Sequence, residues 1–193
     1  MGRTRRLYAA GITYHVTARG DNREAIFCDD DDCQRYLLFL KKYKTKWGFK
    51  LYAYALMPNH IHLLIRPTTM EDSLSKILHD VQLQYAKYFN RRYQRVGHLF
   101  QGPFHSPIVK KDSYLLAASR YIHLNPVRAK LSKTAYDYPW TSFRAYVDQS
   151  ADPLNLVDTT LILSVCSSDM ALQRQVYQNL IEIVPGTKLE KLL

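Results

Sequence analysis

Acidic residues are sparse in this 193-residue chain, and none at all lies between Asp80 and Asp112. Cysteine is scarcer. Cys28, Cys33 and Cys166 form an odd set without zinc-finger spacing, which argues against a disulfide framework and predicts a reducing compartment. No apolar run approaches the roughly 20 residues that span a bilayer, so no membrane partner is expected. The opening MGRTRRLYAAGITYHV has no apolar stretch of signal-peptide length before Thr13 and His15. Arg6 stands where a myristoylation site wants Ser or Thr. The cytoplasm is the expected location. Repeats and low-complexity tracts are missing too, and the length suits one compact domain with an appendage.

What is abundant is positive charge, unevenly placed. Net charge is +10, yet residues 1–133 hold 23 Lys and Arg against 10 Asp and Glu, and residues 134–193 hold 4 against 7. Lys87, Arg91, Arg92, Arg95, Lys110 and Lys111 all fall in the acid-free stretch. A solvated basic surface would spread its charge more evenly. A basic excess confined to one part of the chain predicts a polyanionic partner, most simply nucleic acid.

Hydropathy patterning gives an order of elements. Ile12, Tyr14 and Val16 alternate with Thr13, His15 and Thr17, a strand period. Four aspartates, Asp29 to Asp32, then precede an apolar helical stripe through Tyr36, Leu37, Leu40, Tyr43 and Trp47. Acidic residues at that place read as a helix cap in the dipole's favour rather than a metal site. FKLYAYALM and HIHLLIRP follow as strands joined at Pro58-Asn59. Leu74, Ile77, Leu78, Val81, Tyr85, Tyr88 and Phe89 predict a second helix. Residues 96–109 read as a loop entering a short fourth strand. A third helix, capped by Asp112 or Ser113, is expected to stop near Leu124, because Asn125 precedes Pro126. The fold class is α+β: a ferredoxin-like antiparallel sheet with helices on one face. Residues 1–133 form the expected main domain, and 134–193 a mainly helical C-terminal appendage.

Two stretches carry chemistry. In MPNHIHLLI, His60 and His62 are two apart on a strand and project from one face. They are either two polar residues on a wet face or chelators of a divalent ion. In SRYIHLNPVRAK, Tyr121 and Asn125 are four apart on a helix and share a face, while His123 points nearly opposite. An amide oxygen beside two imidazoles suits a hard ion such as Mg²⁺ or Mn²⁺, with positions left open for phosphate. A phenol can attack a phosphodiester when an ion polarises the phosphorus, giving a phosphotyrosine ester that conserves the bond energy for rejoining. The chain has 15 tyrosines, so packing is the competing reading of Tyr121.

His60-Ile61-His62 followed by Y-I-H-L-N-P-V-R (Tyr121 to Arg128) resembles the single-tyrosine HUH transposases, and the likeness is nearest to the REP-associated tyrosine transposases. It extends over roughly residues 8–147, through YHVTARGDNREAIF, LMPNHIHLLI, GHLFQG, YIHLNPVRAKL and YPWTSFRAY. The resemblance implies a nuclease and strand transferase that cuts single-stranded DNA beside imperfect hairpins. It implies Tyr121 as the nucleophile, joined to a 5′ phosphate, with His60 and His62 as metal ligands and Asn125 where the family supplies a third polar ligand. Arg3, Arg5 and Arg6 become a DNA-contacting arm. Lys87, Arg91 and Arg92, with Arg95, Lys110 and Lys111, become phosphate contacts that position DNA rather than read it. Pro103, after GHLFQG, departs from a cationic position in the family pattern and bears on hairpin choice. Dimers with exchanged tyrosines occur in the wider group and monomers in the REP-associated branch, so oligomeric state stays open. The alternative is a domesticated relative that binds hairpins without cutting.

Overall fold

In a computed structural model, which describes residues 10–69, 74–110, 112–148 and 151–182, the chain builds a four-stranded sheet flanked by helices. The strands are β1 (Thr13–Arg19), β2 (Lys50–Met57), β3 (His60–Arg66) and β4 (Ile108–Val109), ordered β2-β3-β1-β4 with every pairing antiparallel. The helices are α1 (Asp30–Trp47), α2 (Leu74–Arg92), α3 (Asp112–Arg128), α4 (Phe143–Val147), α5 (Thr160–Cys166) and α6 (Gln173–Glu182). This is the expected ferredoxin-like α+β order. Arg3, Arg5, Arg6 and Lys111, and the capping side chains of Asp112 and Ser113, lie outside the described residues.

The helices divide between the sheet's faces. Residues opposite one another in an antiparallel pair share a face. Tyr14, Val16 and Ala18 therefore sit with Ile65, Leu63 and Ile61 on one apolar face. The buried stripes of α1 and α2 cover it, with Cys33 of α1 close enough to Tyr54 of β2 to affect its ionisation. On the other face Thr17 stands with His62, and Arg19 with His60. There α3 packs across β2, β3 and β4. The expectation of helices on one face thus holds for α1 and α2, while α3 takes the second. Because both faces are covered, Ile61 to Ile65 of β3 are all buried.

The aspartate run caps α1. The Asp29 side chain accepts from the Asp32 amide at 3.1 Å, and Gly48 closes the helix in the left-handed conformation that costs glycine nothing (φ 64°). Asp32 is fully buried and accepts from the Cys28 amide, Tyr88 Oη, Tyr93 Oη and Arg92. The aromatic run of α2 turns inward. Tyr85 and Phe89 are buried in the core.

Helix α3 runs four residues past the expected stop, through Pro126 to Arg128. Proline denies the Ile122 carbonyl a donor, a penalty of about 3 kcal/mol in a helix interior. Burial offsets it: Ile122, Leu124 and Pro126 are buried where β2, α5 and α6 meet α3. His123, pointing away from Tyr121 as expected, is fully buried between Ser142 Oγ and Tyr177 Oη, each 2.7 Å from a ring nitrogen. Residues 140–142 also bond along the outer edge of β2, through Leu56 N to Trp140 O and Ser142 N to Tyr54 O. An otherwise open sheet edge is thereby closed.

Candidate active site

On the α3 side of the sheet, strand β3 presents His60 and His62 together, and α3 lays Tyr121 across them. Tyr121 is 42% exposed, and its ring stands edge-on to His62 with the centroids 5.7 Å apart. The two imidazole centroids are 5.0 Å apart. Asn125 follows one helical turn after Tyr121, its side chain close enough to His60 to affect its ionisation. The unbroken helix through Pro126 is what keeps Tyr121 and Asn125 on one face.

The hydrogen bonds at His60 settle its tautomer. Asn59 Nδ2 donates to the Arg23 carbonyl at 3.1 Å, so Asn59 Oδ1 is the atom 2.7 Å from His60 Nδ1 and can only accept. Nδ1 therefore carries the proton, and Nε2 keeps a lone pair for a ligand. Burial, with Arg19 adding to it, lowers the His60 pKa, against an opposing contribution from Asn125. Burial pushes His62 down to about 3, with His15, His60 and Arg19 contributing in that order. Both rings are thus neutral at pH 7, the state a metal requires. Among the described residues, no three of His, Cys, Asp and Glu gather as a metal cluster. An ion here would take its third protein donor from the Asn125 amide, and two nitrogens with one amide oxygen suit Mn²⁺ or Mg²⁺ with open positions.

Four further side chains frame the site that the sequence reading did not pick out. His15 on β1 places its ring 5.7 Å from Tyr121 and its Nε2 3.0 Å from His62 Nδ1. Thr17 Oγ1 is 3.2 Å from the same nitrogen. Arg19 is exposed beside His60, its partner in register, and the Arg128 guanidinium lies 5.2 Å from the Tyr121 ring centre. Alternation along β1 puts His15, Thr17 and Arg19 on one face, but only strand pairing brings that face beside His62.

The expected phosphate contacts separate into three groups. Arg92 is bound to Asp29 at 2.7 Å and Asp32 at 2.8 Å, and Arg95 to Glu24 at 2.7 Å. Lys87 and Arg91 are exposed and line a groove with Arg35, Gln84, Tyr88 and the ion-paired Arg92 on the outer side of α1 and α2, across the sheet from Tyr121. Lys110 lies on Tyr121's side, in a cleft with His15, Ile108 and Tyr114.

Comparison with known proteins agrees with this architecture. A protein of Haemophilus influenzae, named as a REP-associated tyrosine transposase, is 23% identical over 162 residues, covering 79% of this chain and 92% of that one. The solved structure of a REP-associated tyrosine transposase, described as bound to a REP hairpin, superposes with a TM-score of 0.65 at 21% identity. It covers 82% of this chain and 94% of its own, which establishes a common fold. The family described as IS200-like transposases matches residues 8–125, a span that holds β1 to β4, both histidines, Tyr121 and Asn125. The chain belongs to the IS200-like transposase family.

Proposed function

We propose that this chain is a metal-dependent endonuclease and strand transferase acting on single-stranded DNA beside a hairpin, through a 5′-phosphotyrosine on Tyr121. The observation that carries this reading is the exposed Tyr121 ring standing edge-on over the buried His62 ring, 5.7 Å between centroids. The Tyr121 oxygen bonds to phosphorus while the bond to the 3′ oxygen breaks, and the phenol proton ends on the released 3′-hydroxyl. Rejoining reverses the step with a new 3′-hydroxyl. His60 Nε2, His62 Nε2 and Asn125 would hold the ion, which when bound polarises the scissile phosphate. Arg19 and Arg128 lie within reach of the phosphate's charge and orient it.

The hairpin enters through the relatives, one of which was solved with a REP hairpin. Nucleophile and histidines come from the same chain, so a monomer has a complete site. The test is incubation with single-stranded hairpin DNA from the flanks of its own gene, plus Mg²⁺ or Mn²⁺, followed by denaturing electrophoresis. A protein–DNA adduct that disappears in Tyr121→Phe and His62→Ala is the expected outcome. Hairpin binding with no adduct under either metal would instead mark a relative that binds without cutting.

A further inference from the structure

His60 has its tautomer set by a group that can only accept, whereas His62 meets at Nδ1 two neighbours of undetermined role. His15 Nε2 stands 3.0 Å from that nitrogen and Thr17 Oγ1 3.2 Å. Between two facing neutral ring nitrogens there is room for one proton, in one of two places. If His15 Nε2 donates, the His62 proton moves to Nε2 and the lone pair that faces Tyr121's side of the site is lost. If His62 Nδ1 donates to His15 Nε2, the lone pair on His62 Nε2 is kept. A metal ligand needs the second arrangement, and ligating histidines generally have their other nitrogen held by an outer partner.

We propose that His15 is a positioning residue: by accepting the His62 Nδ1 proton it fixes the tautomer and aim of His62 toward the ion. The inference rests on the metal-dependent reading above and deepens it. Its geometry is independent of sequence proximity, since the two residues are 47 positions apart and meet diagonally across the β1–β3 ladder, where His62 faces Thr17 directly. The hydroxyl of Thr17 is the weaker candidate. It is farther away, and as a donor it favours the unproductive tautomer. Second-sphere partners of this kind are typically worth about 10- to 100-fold in metal affinity.

The test is Mn²⁺ binding to the full chain, measured by calorimetry and by the electron paramagnetic resonance of free Mn²⁺, with folding checked by circular dichroism. His15→Ala is expected to weaken Mn²⁺ binding by about tenfold or more. His15→Gln, which keeps an accepting oxygen on a side chain of similar reach, recovers most of that loss, and it serves if the alanine variant folds poorly. Thr17→Val stays near wild type. Unchanged Mn²⁺ affinity in His15→Ala overturns the proposal, as does a loss carried wholly by Thr17→Val. Normal Mn²⁺ affinity in His15→Ala with reduced adduct also overturns it, and transfers His15 to proton handling at Tyr121. Wild type that binds no Mn²⁺ and forms no adduct fails the metal-dependent reading itself, a result distinct from any of these.

Discussion

Four histidines show how neighbours decide a residue's work. His123 belongs to the motif stretch by sequence and to the core by structure: Ser142 and Tyr177 occupy both of its nitrogens. His123→Ala opens a cavity and takes one hydrogen bond from each hydroxyl, leaving Ser142 with Tyr54 and Tyr177 with Ser119, and is expected to cost about 3 kcal/mol of stability in denaturant unfolding. Mn²⁺ affinity of the folded fraction should hold. His62→Ala should differ in losing metal affinity outright. If His123→Ala abolished Mn²⁺ binding in protein shown to be folded, its assignment to the core would be wrong. His60 and His62 were legible as a pair because a strand has period two, and Tyr121 with Asn125 because a helix puts i and i+4 on one face. His15 was not, because its relation to His62 exists only after β1 pairs with β3, and no local period encodes register between strands 47 residues apart.

Helices α1 and α2 carry the same lesson one level up. Their apolar stripes and the Asp29 cap could be read directly, since dipole, cap and spacing are local properties. The end of α3 could not, because the penalty at Pro126 is local while the burial that offsets it comes from β2, α5 and α6. The ion pairs of Arg92 were hidden from the sequence in a similar way. Arg92 falls within a basic run and so resembles a phosphate contact, but in the fold it ties the end of α2 to the start of α1 through Asp29, Asp31 and Asp32. Arg92→Ala removes the charge partner of a fully buried carboxylate, so the melting temperature is expected to fall by several degrees. Hairpin affinity per folded molecule should stay near wild type. Lys87→Ala with Arg91→Ala should do the opposite if their groove tracks the backbone: unchanged melting and a shallower salt dependence, by about 0.7 to 0.9 in log–log slope for each lost contact. Equal DNA losses in both sets would show that Arg92 leaves its aspartates to bind phosphate.

Across the whole molecule, the acidic excess after residue 133 has a structural use. Asp158 pairs with Lys44 of α1 at 2.6 Å and Lys50 of β2 at 3.0 Å, and its carboxylate accepts from the Leu51 amide at 3.0 Å. The Asp158 amide in turn donates to the Leu51 carbonyl at 2.7 Å, so one residue docks the C-terminal segment on the free side of β2 as a strand partner would. From there the chain proceeds to α5 and α6, whose Ile162, Leu163, Tyr177 and Ile181 complete the core beneath α3. The C-terminal helices are therefore part of what holds Tyr121's helix against the sheet. Burial alone would raise the Asp158 pKa, but Lys44, the Leu51 amide and Lys50 outweigh it and hold the carboxyl below its ordinary range. A depressed carboxylate pKa means the unfolded chain binds the proton more readily. The contribution is therefore complete above the unfolded value near pH 4 and is lost as pH falls through the folded value. Asp158→Asn is expected to cost on the order of 2 kcal/mol at pH 7, with its stability curve converging on wild type in acid. Urea unfolding from pH 7 down to pH 3 measures this. A gap between the two proteins that persists undiminished at pH 3 would mean the carboxylate's charge does not hold the segment in place.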